Sequence, residues 1–330
     1  MVEPVSVVAT VLNEAGSIGR LLSSFAEQTR KPDEVIIVDG GSQDGTLAAL
    51  ETFAESAPFP VRVLVRPGAN ISRGRNVAIS EAAGPLIAAT DAGVRLEPDW
   101  LERLVAPFSL EPAPDVVSGF FVAEHESLFE LVLGAVTLPR LAEVDPRRFY
   151  PSSRSVAFRR EAWERVGGYP EWLDYCEDLL FDFALQDAGY RFHFAPDARV
   201  HFRPRGTLKS YLKQYYRYAR GDGKADFWRY RHLLRYATYL VVLPLAVFLA
   251  TRHPLGWVAL AGVIATLAGS PLKRVWPKVQ SLPLVRRIGA LFLAVSLRVA
   301  GDLAKMVGYP VGVCWRRQHA PPADWPKRQW

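Results

Sequence analysis

The chain has 330 residues, with 40 lysines and arginines against 34 aspartates and glutamates, which is room for one α/β domain with an appendage or for two smaller domains. Its two cysteines, Cys176 and Cys314, lie far apart, which excludes a disulfide framework and a zinc site and places the head in a reducing compartment. The net charge of +6 is modest, but between Arg203 and Arg235 a run of basic residues is opposed only by Asp222 and Asp226, a stretch suited to phosphates or an anionic membrane face.

No secretory signal is expected at the start, because VSVVAT (residues 5–10) reads as a strand buried on both faces directly after Glu3-Pro4. It ends at Val11-Leu12-Asn13-Glu14, and Ile18, Leu21, Leu22 and Phe25 then mark a helix. Glu34 to Val38 forms a second buried strand that runs into Asp39-Gly40-Gly41-Ser42-Gln43-Asp44-Gly45-Thr46 and a helix to Glu55. A strand, a glycine-rich loop with aspartates and a helix make a nucleotide-binding arrangement at the carboxyl end of the strand. Glycine lets the backbone turn tightly and approach a ligand, and a carboxylate accepts hydrogen bonds from a base or ribose; the same loop is equally compatible with a plain turn. Val61 to Val65 is a third strand, and Asn70-Ile71-Ser72-Arg73-Gly74-Arg75-Asn76 leads into a helix with Ser72 as its cap. Pro85 to Thr90 is an apolar strand delivering Asp91-Ala92-Gly93. Pro98-Asp99-Trp100-Leu101 starts a helix that buries Leu101, Leu104, Val105 and Phe108, and Asp115 to Ala123 is a further strand. Glu124 to Arg148 reads as a mobile helix or loop over an acceptor site.

Ser153 to Phe158 reads as a strand, Arg160 to Val166 as a helix and Gly167-Gly168-Tyr169-Pro170 as a turn. Glu177 and Asp178 then open a helix whose apolar residues Leu179, Leu180, Phe183, Ala184 and Ala188 recur until Gly189 caps it. A helix start leaves amides unpaired and partly positive, so acids are stabilised there; a simple acidic cap is the plain alternative. Tyr190 to Phe194 is expected as a short strand, Pro196-Asp197 as a turn and Val200-His201 as the next edge, which brings the acid pair and His201 back towards one site. Gln214-Tyr215-Tyr216-Arg217-Tyr218 follows on a basic amphipathic helix.

Beyond it, Tyr236 to Thr251 and Pro254 to Leu272 carry no charge, and each approaches the roughly 20 residues of a membrane span. A helical hairpin is expected, kinked at Pro244 and turning at Arg252-His253, with the basic flanks Arg229 to Arg235 and Lys273 to Lys278 on the cytoplasmic side. Ile288 to Trp315 is apolar, but Arg298, Asp302 and Lys305 share one helical face, as in an interfacial helix or a span lining a bundle. Arg316, Arg317, Lys327 and Arg328 argue for a cytoplasmic end. The division expected is a head over residues 1–228 and a membrane-associated region over 229–330, with a hairpin at 236–251 and 254–272 and a further helix at 288–315.

VLNEA followed by EVIIVDGGSQDGT, then Arg75-Asn76, Asp91-Ala92-Gly93, Glu177-Asp178, the late His201 and QYYRY, resembles the family 2 inverting glycosyltransferases, in particular membrane-anchored members of the exopolysaccharide and succinoglycan type. The resemblance spans about residues 5–220 and implies a GT-A fold: a single-domain, Rossmann-like α/β sheet, here with C-terminal membrane helices. It implies donor binding by Asn13, Glu14, Asp39, Arg75, Asp91, Gln214 and Tyr218, with Asp39 at uracil or another base, Glu14 near the ribose and Arg75-Asn76 near base and diphosphate. Asp178 is implied as general base beside Glu177. Arg217 is implied at the departing diphosphate, with Tyr218 standing where the family has tryptophan. Gly93 replaces the second acid of the family's Asp-x-Asp, so an expected divalent cation, manganese or magnesium, rests on Asp91 and His201 with phosphates and waters; a metal-independent enzyme is the alternative. The implied reaction moves a sugar from a nucleotide-diphosphate donor, a UDP-sugar, to a hydroxyl of a lipid-linked or growing glycan in cell-surface polysaccharide synthesis, on the cytoplasmic side of the inner membrane and with no nucleic-acid partner. Two other readings remain: a polyprenyl-phosphate glycosyltransferase, whose phosphate acceptor needs no general base, and a non-catalytic nucleotide-sugar-binding partner in a polysaccharide assembly complex.

Overall fold

The computed structural model describes residues 3–322 and 325–326, so Lys327 and Arg328 lie outside the described residues. The chain forms two compact units, one running to Val122 and including Arg140–Phe202, the other made of Ala123–Pro139 and the chain from Arg203 onward.

In chain order the elements are β1 (Val5–Val11), α1 (Ile18–Ala26), β2 (Glu34–Asp39), α2 (Thr46–Ser56), β3 (Val61–Val65), α3 (Ile71–Ser80), β4 (Leu86–Asp91), β5 (Val94–Leu96), α4 (Trp100–Val105), β6 (Val116–Ala123), α5 (Leu128–Thr137), β7 (Val156–Arg159), α6 (Arg160–Arg165), α7 (Glu177–Asp187) and β8 (Phe192–Phe202). One eight-stranded sheet runs β3-β2-β1-β4-β7-β6-β8-β5. Its first four strands are parallel, while β7 is antiparallel to β4, β6 to β7 and β5 to β8. Both faces are covered, which is why its parallel strands are apolar at nearly every position. Val5, Val7, Ala9 and Val11 pack with Leu21, Phe25, Leu50 and Trp100 of α1, α2 and α4. Val8, Ile36, Val38 and Ile87 pack with Ile79, Ala162, Phe181 and Leu185 of α3, α6 and α7. After β1 the chain builds outward through β2 and β3, then returns to place β4 on the other side of β1. The carboxyl ends of β1, β2 and β4 therefore border the crevice where strand order reverses.

Local departures from the sequence pattern have local causes. Asn70, not Ser72, caps α3 by accepting the Arg73 amide at 2.9 Å; Ser72 is buried inside the helix and donates to the Leu173 carbonyl. The expected break at Pro196-Asp197 is absent, and β8 is continuous from Phe192 to Phe202. Its partner β5 covers only Val200–Phe202, so at Pro196 one side of the strand has no ladder to supply, a place where proline is tolerated. Within Glu124 to Arg148, Ser127 caps the ordered helix α5.

The second unit continues with α8 (Leu208–Ala225), α9 (Arg229–Ala237), α10 (Leu243–Arg252), α11 (Pro254–Val279) and α12 (Leu284–His319). A π-turn over Thr238–Val242 joins α9 and α10 into one helix, Arg229–Arg252. Pro244 has no N–H for the Leu240 carbonyl, and the disturbance expected there takes the form of this wider turn. Helices Arg229–Arg252 and Pro254–Val279 are long and apolar enough to cross a membrane, and Leu255, Trp257 and Val258 are 70%, 64% and 69% exposed. The turn between them is set by His253, whose Nδ1 accepts the Leu255 amide.

Compact packing divides the chain before Arg203 and also gives Ala123–Pro139 to the second unit, whereas the sequence pattern puts the edge of the head at 228; the helices that differ are α5 and α8. Gly301, Gly308 and Gly312 of α12 sit so close to Tyr211, Tyr216 and Arg220 of α8 that a Cβ at any of them would collide. The charged face of α12 is packed too. Asp302 is buried and bonded by Arg235 at 2.7 Å, Arg298 at 2.9 Å and the Tyr239 hydroxyl at 3.1 Å.

Candidate active site

The crevice is built first from loop geometry. Asn13 follows β1 with a φ of 54°, its amide donating to Ser42 Oγ at 2.8 Å and its Oδ1 accepting the Gln43 amide at 2.9 Å. The Glu14 amide donates to Thr46 Oγ1, and the Glu14 carboxylate accepts from Ser17 Oγ. These bonds pin the end of β1 to the glycine-rich loop after β2. In that loop Asp39 is fully buried. Its Oδ1 accepts the Gly41 and Ser42 amides at 2.6 and 2.7 Å, a turn that Gly41 permits with a φ of 98°. Asp39 Oδ2 is buried with no hydrogen-bond partner among the described residues. A buried acceptor of this kind is costly unless a donor meets it.

At the end of β4 the arrangement is ionic. Arg75 from α3 has a side chain only 3% exposed, and it bridges two acids, donating to Asp91 Oδ1 and to Glu177 Oε1 at 2.8 Å each. Its guanidinium lies 5.2 Å from the centre of the Tyr169 ring. Burial alone opposes its charge, but Asp91 and Glu177 outweigh burial and raise its pKa. Arg75 thus bonds two carboxylates here; the family resemblance implies a place near the donor base and diphosphate. Its neighbour Asn76 is also spoken for. Asn76 accepts the Tyr169 amide and the Trp163 indole N–H and donates to the Tyr169 carbonyl, which fixes the Gly167-Gly168-Tyr169 turn. Gly168 has a φ of 77°, and a Cβ there would strike Asn76 and Trp163.

The acid pair starts α7 as its pattern predicts. Glu177 is buried, and its pKa is pushed up to about 7, first by burial and then by the charge of Asp178, against the pull of Arg75. Asp178 is half-buried, with Oδ1 accepting the Leu179 amide at 2.8 Å. One turn on, Asp182 is 3% exposed and its pKa is raised well above the carboxylate range by burial and then by Asp178. The signal for Asp182 in the sequence is its spacing from Asp178, four residues along α7.

His201 lies on β8 opposite Arg95, and its Nε2 is hydrogen-bonded to Glu97 Oε1 at 2.9 Å. The second group at Asp91 is Arg154, whose Nε is 3.6 Å from Asp91 Oδ2; no motif signals it. Among the described residues no group of three or more His, Cys, Asp and Glu is placed to hold one metal ion. The donor set at Asp91 fits a divalent cation poorly, since two guanidinium groups already face that carboxylate, Gly93 supplies no second acid and His201 is engaged by Glu97. Gln214, Arg217 and Tyr218 lie half-buried on α8 in the second unit, where Gln214 Nε2 donates to the Tyr218 hydroxyl at 2.8 Å.

Residues 6–162 match glycosyl transferase family 2, and residues 141–277 match glycosyl transferase family group 2. The chain is 29% identical over 273 residues to the succinoglycan biosynthesis protein ExoA of Rhizobium meliloti, covering 78% of this chain and 80% of that protein. Among solved structures it is similar to the mannosyltransferase PcManGT from Pyrobaculum calidifontis in complex with GDP-Man and Mn2+, with a TM-score of 0.58, 20% identity and coverage of 92% of this chain and 87% of that one. It is similar also to S. aureus TarS 1–349 in complex with UDP-GlcNAc, with a TM-score of 0.52, 18% identity and coverage of 96% and 92%. The two family matches overlap at residues 141–162 and together run from residue 6 to 277, through the sheet, the acid pair and the apolar helices; the chain is a glycosyltransferase of GT-A fold, with glycosyl transferase family 2 sequence over residues 6–162.

Proposed function

We propose that the chain transfers a sugar, with inversion, from a nucleotide-diphosphate donor, a UDP-sugar in the first instance, to a hydroxyl of a lipid-linked or growing glycan in cell-surface polysaccharide synthesis. The observation that carries this reading is the unequal treatment of two adjacent acids. Glu177 is buried and taken by Arg75, whereas Asp178 beside it is half-buried and held only at its rim by a backbone amide. Asp178 would take the proton of the acceptor hydroxyl as that oxygen attacks the anomeric carbon. The bond from that carbon to the donor phosphate then breaks, with its electron pair leaving on the diphosphate.

Asp39 would meet the base, its partnerless Oδ2 suiting an imino N–H, with Asn13 and Glu14 on the same edge. Arg75 would act by positioning Asp91 and Glu177. Gln214, Arg217 and Tyr218 resemble the family's motif for the departing diphosphate and the acceptor channel, with Tyr218 in place of tryptophan. The donor class is supported by the GDP-Man and UDP-GlcNAc of the two solved neighbours, and the glycan class by the naming of ExoA. Mn2+ in PcManGT supports cation use within the fold; here manganese or magnesium would have Asp91 as its one carboxylate, and His201 only on releasing Glu97. On this reading residues 1–228 are the transferase domain and 229–330 the membrane-associated region, its two apolar helices crossing the inner membrane with their basic flanks and the catalytic domain on the cytoplasmic side.

The test is Asp178→Asn in detergent-purified protein. Transfer is expected to fall about 10²–10⁴-fold, the usual share of a general base, with nucleotide affinity unchanged. Normal turnover by the variant removes the assignment. It would favour a polyprenyl-phosphate acceptor, whose product mild acid cleaves faster than an ordinary glycoside.

A further inference from the structure

The cation at the end of β4 that a ligand can reach is Arg154. Arg75, on the same carboxylate, is 3% exposed and bridges two acids, whereas the Arg154 side chain is 26% exposed and its contact with Asp91 is a long 3.6 Å. Arg154 is nonetheless well fixed. Thr90, the residue before Asp91, donates its hydroxyl to the Arg154 carbonyl at 2.9 Å, so the arginine backbone hangs on β4 beside the site. The side chain donates to Ser152 Oγ at 3.0 Å and lies 4.8 Å from the centre of the Phe202 ring. A planar guanidinium held in place by an aromatic face, a hydroxyl and a carboxylate is pre-organised to grip phosphate oxygens in a fork.

Gly93 gives this arrangement its meaning. A Cβ there would meet no heavy atom within 4 Å, and the glycine does not adopt a positive φ, so neither packing nor backbone explains why the second acid of Asp-x-Asp is missing. Loss of one acid and the approach of one arginine move the local charge in the same direction. Together they discourage a divalent cation and provide a fixed positive group where its charge would act.

We infer that Arg154 binds the donor diphosphate directly and takes over most of the charge neutralisation that a divalent cation would give through Asp91 and a second acid at Gly93. This rests on the donor site proposed above. No bond to Arg154 forms or breaks; it stabilises the charge that the leaving diphosphate gains.

The experiment is calorimetric binding of UDP, GDP and the matching nucleosides to the full chain in detergent, with chelator and with Mn2+. Wild type is expected to keep nucleotide affinity within about tenfold on chelation, a difference of about 1.4 kcal/mol. Arg154→Met, which keeps an unbranched side chain and removes the guanidinium, is expected to lose at least about tenfold in diphosphate affinity in chelator and to leave nucleoside binding unchanged. A merely structural role would weaken both. Adding Gly93→Asp to Arg154→Met is expected to restore nucleotide binding only when Mn2+ is present. The inference is overturned if wild type binds nucleotide only with Mn2+, or if Arg154→Met binds it in chelator as wild type does. Absence of nucleotide binding by wild type under every condition overturns the donor site itself, a separate result.

Discussion

At the carboxyl end of β2 the buried carboxylate Asp39 is held by the amides of Gly41 and Ser42, two and three residues along the chain. At the carboxyl end of β4, two strands away in the same sheet, Asp91 is held by the side chains of Arg75 and Arg154, and Arg75 also draws in Glu177 from 102 positions on. The first site uses dipoles that the turn itself supplies and leaves one oxygen without a partner. The second uses full charges brought together from four separate segments of the chain. A site of the first kind should fail locally when changed and leave the fold intact, whereas one of the second kind ties stability to chemistry.

The largest effect is expected at the ionic edge. Arg75→Met leaves Asp91 and Glu177 facing each other without their shared buried cation, and removal of one partner from a buried ion pair costs about 3–5 kcal/mol. Chemical denaturation of the purified protein measures it. A loss below about 1 kcal/mol, the range of an exposed pair, would mean that the two edges do not differ in this way.

Asp39→Asn sharpens the comparison from the other side, since the amide oxygen can still accept from Gly41 and Ser42 while the second acceptor is lost. Nucleotide affinity is expected to weaken by about 1.5–3 kcal/mol, the usual worth of a hydrogen bond to a charged group, with little change in melting temperature. Unchanged UDP and GDP binding would leave Asp39 a turn-forming residue only.

The smallest effect is a slope. Glu177 has its pKa raised to about 7, so the folded chain holds that proton more tightly than the unfolded one does. The resulting stability is fully present below the ordinary carboxylate range and is lost as pH rises through about 7. Glu177→Gln removes this titration while keeping an acceptor for Arg75, and between pH 5 and 8 its melting temperature should decline less than that of wild type, by about 2–4 °C for each kcal/mol involved. Parallel declines would show that Glu177 is not the titrating group and would turn attention to Asp182, raised for the same reason.

Much of this was legible in order along the chain. The apolar runs of β1, β2 and β4 are long because those strands are covered on both faces, and the Asp39 loop is a local turn written in glycine. The acid pair opens α7 because a helix start favours acids, and Gly189 closes the helix with a φ of 85°. The apolar hairpin was equally visible, because a span is defined by length and lack of charge.

Other features depended on packing at long range. Pro196 suggested a break because proline cannot serve a ladder, but the short partner β5 asks nothing of one side of β8 at that point. The charged face of α12 reads along the chain as an interfacial helix or a span lining a bundle, and only packing encloses Asp302 with Arg235, Arg298 and Tyr239. The sequence by itself determined which residues carry charge and which strand ends present them. Tertiary structure alone decided which charges meet: it turned Arg75 inward between two acids, gave His201 to Glu97 and brought Arg154, from a segment with no motif, to Asp91. Side-chain charges pair through space, and no periodicity along a chain records a partner 63 or 102 residues away.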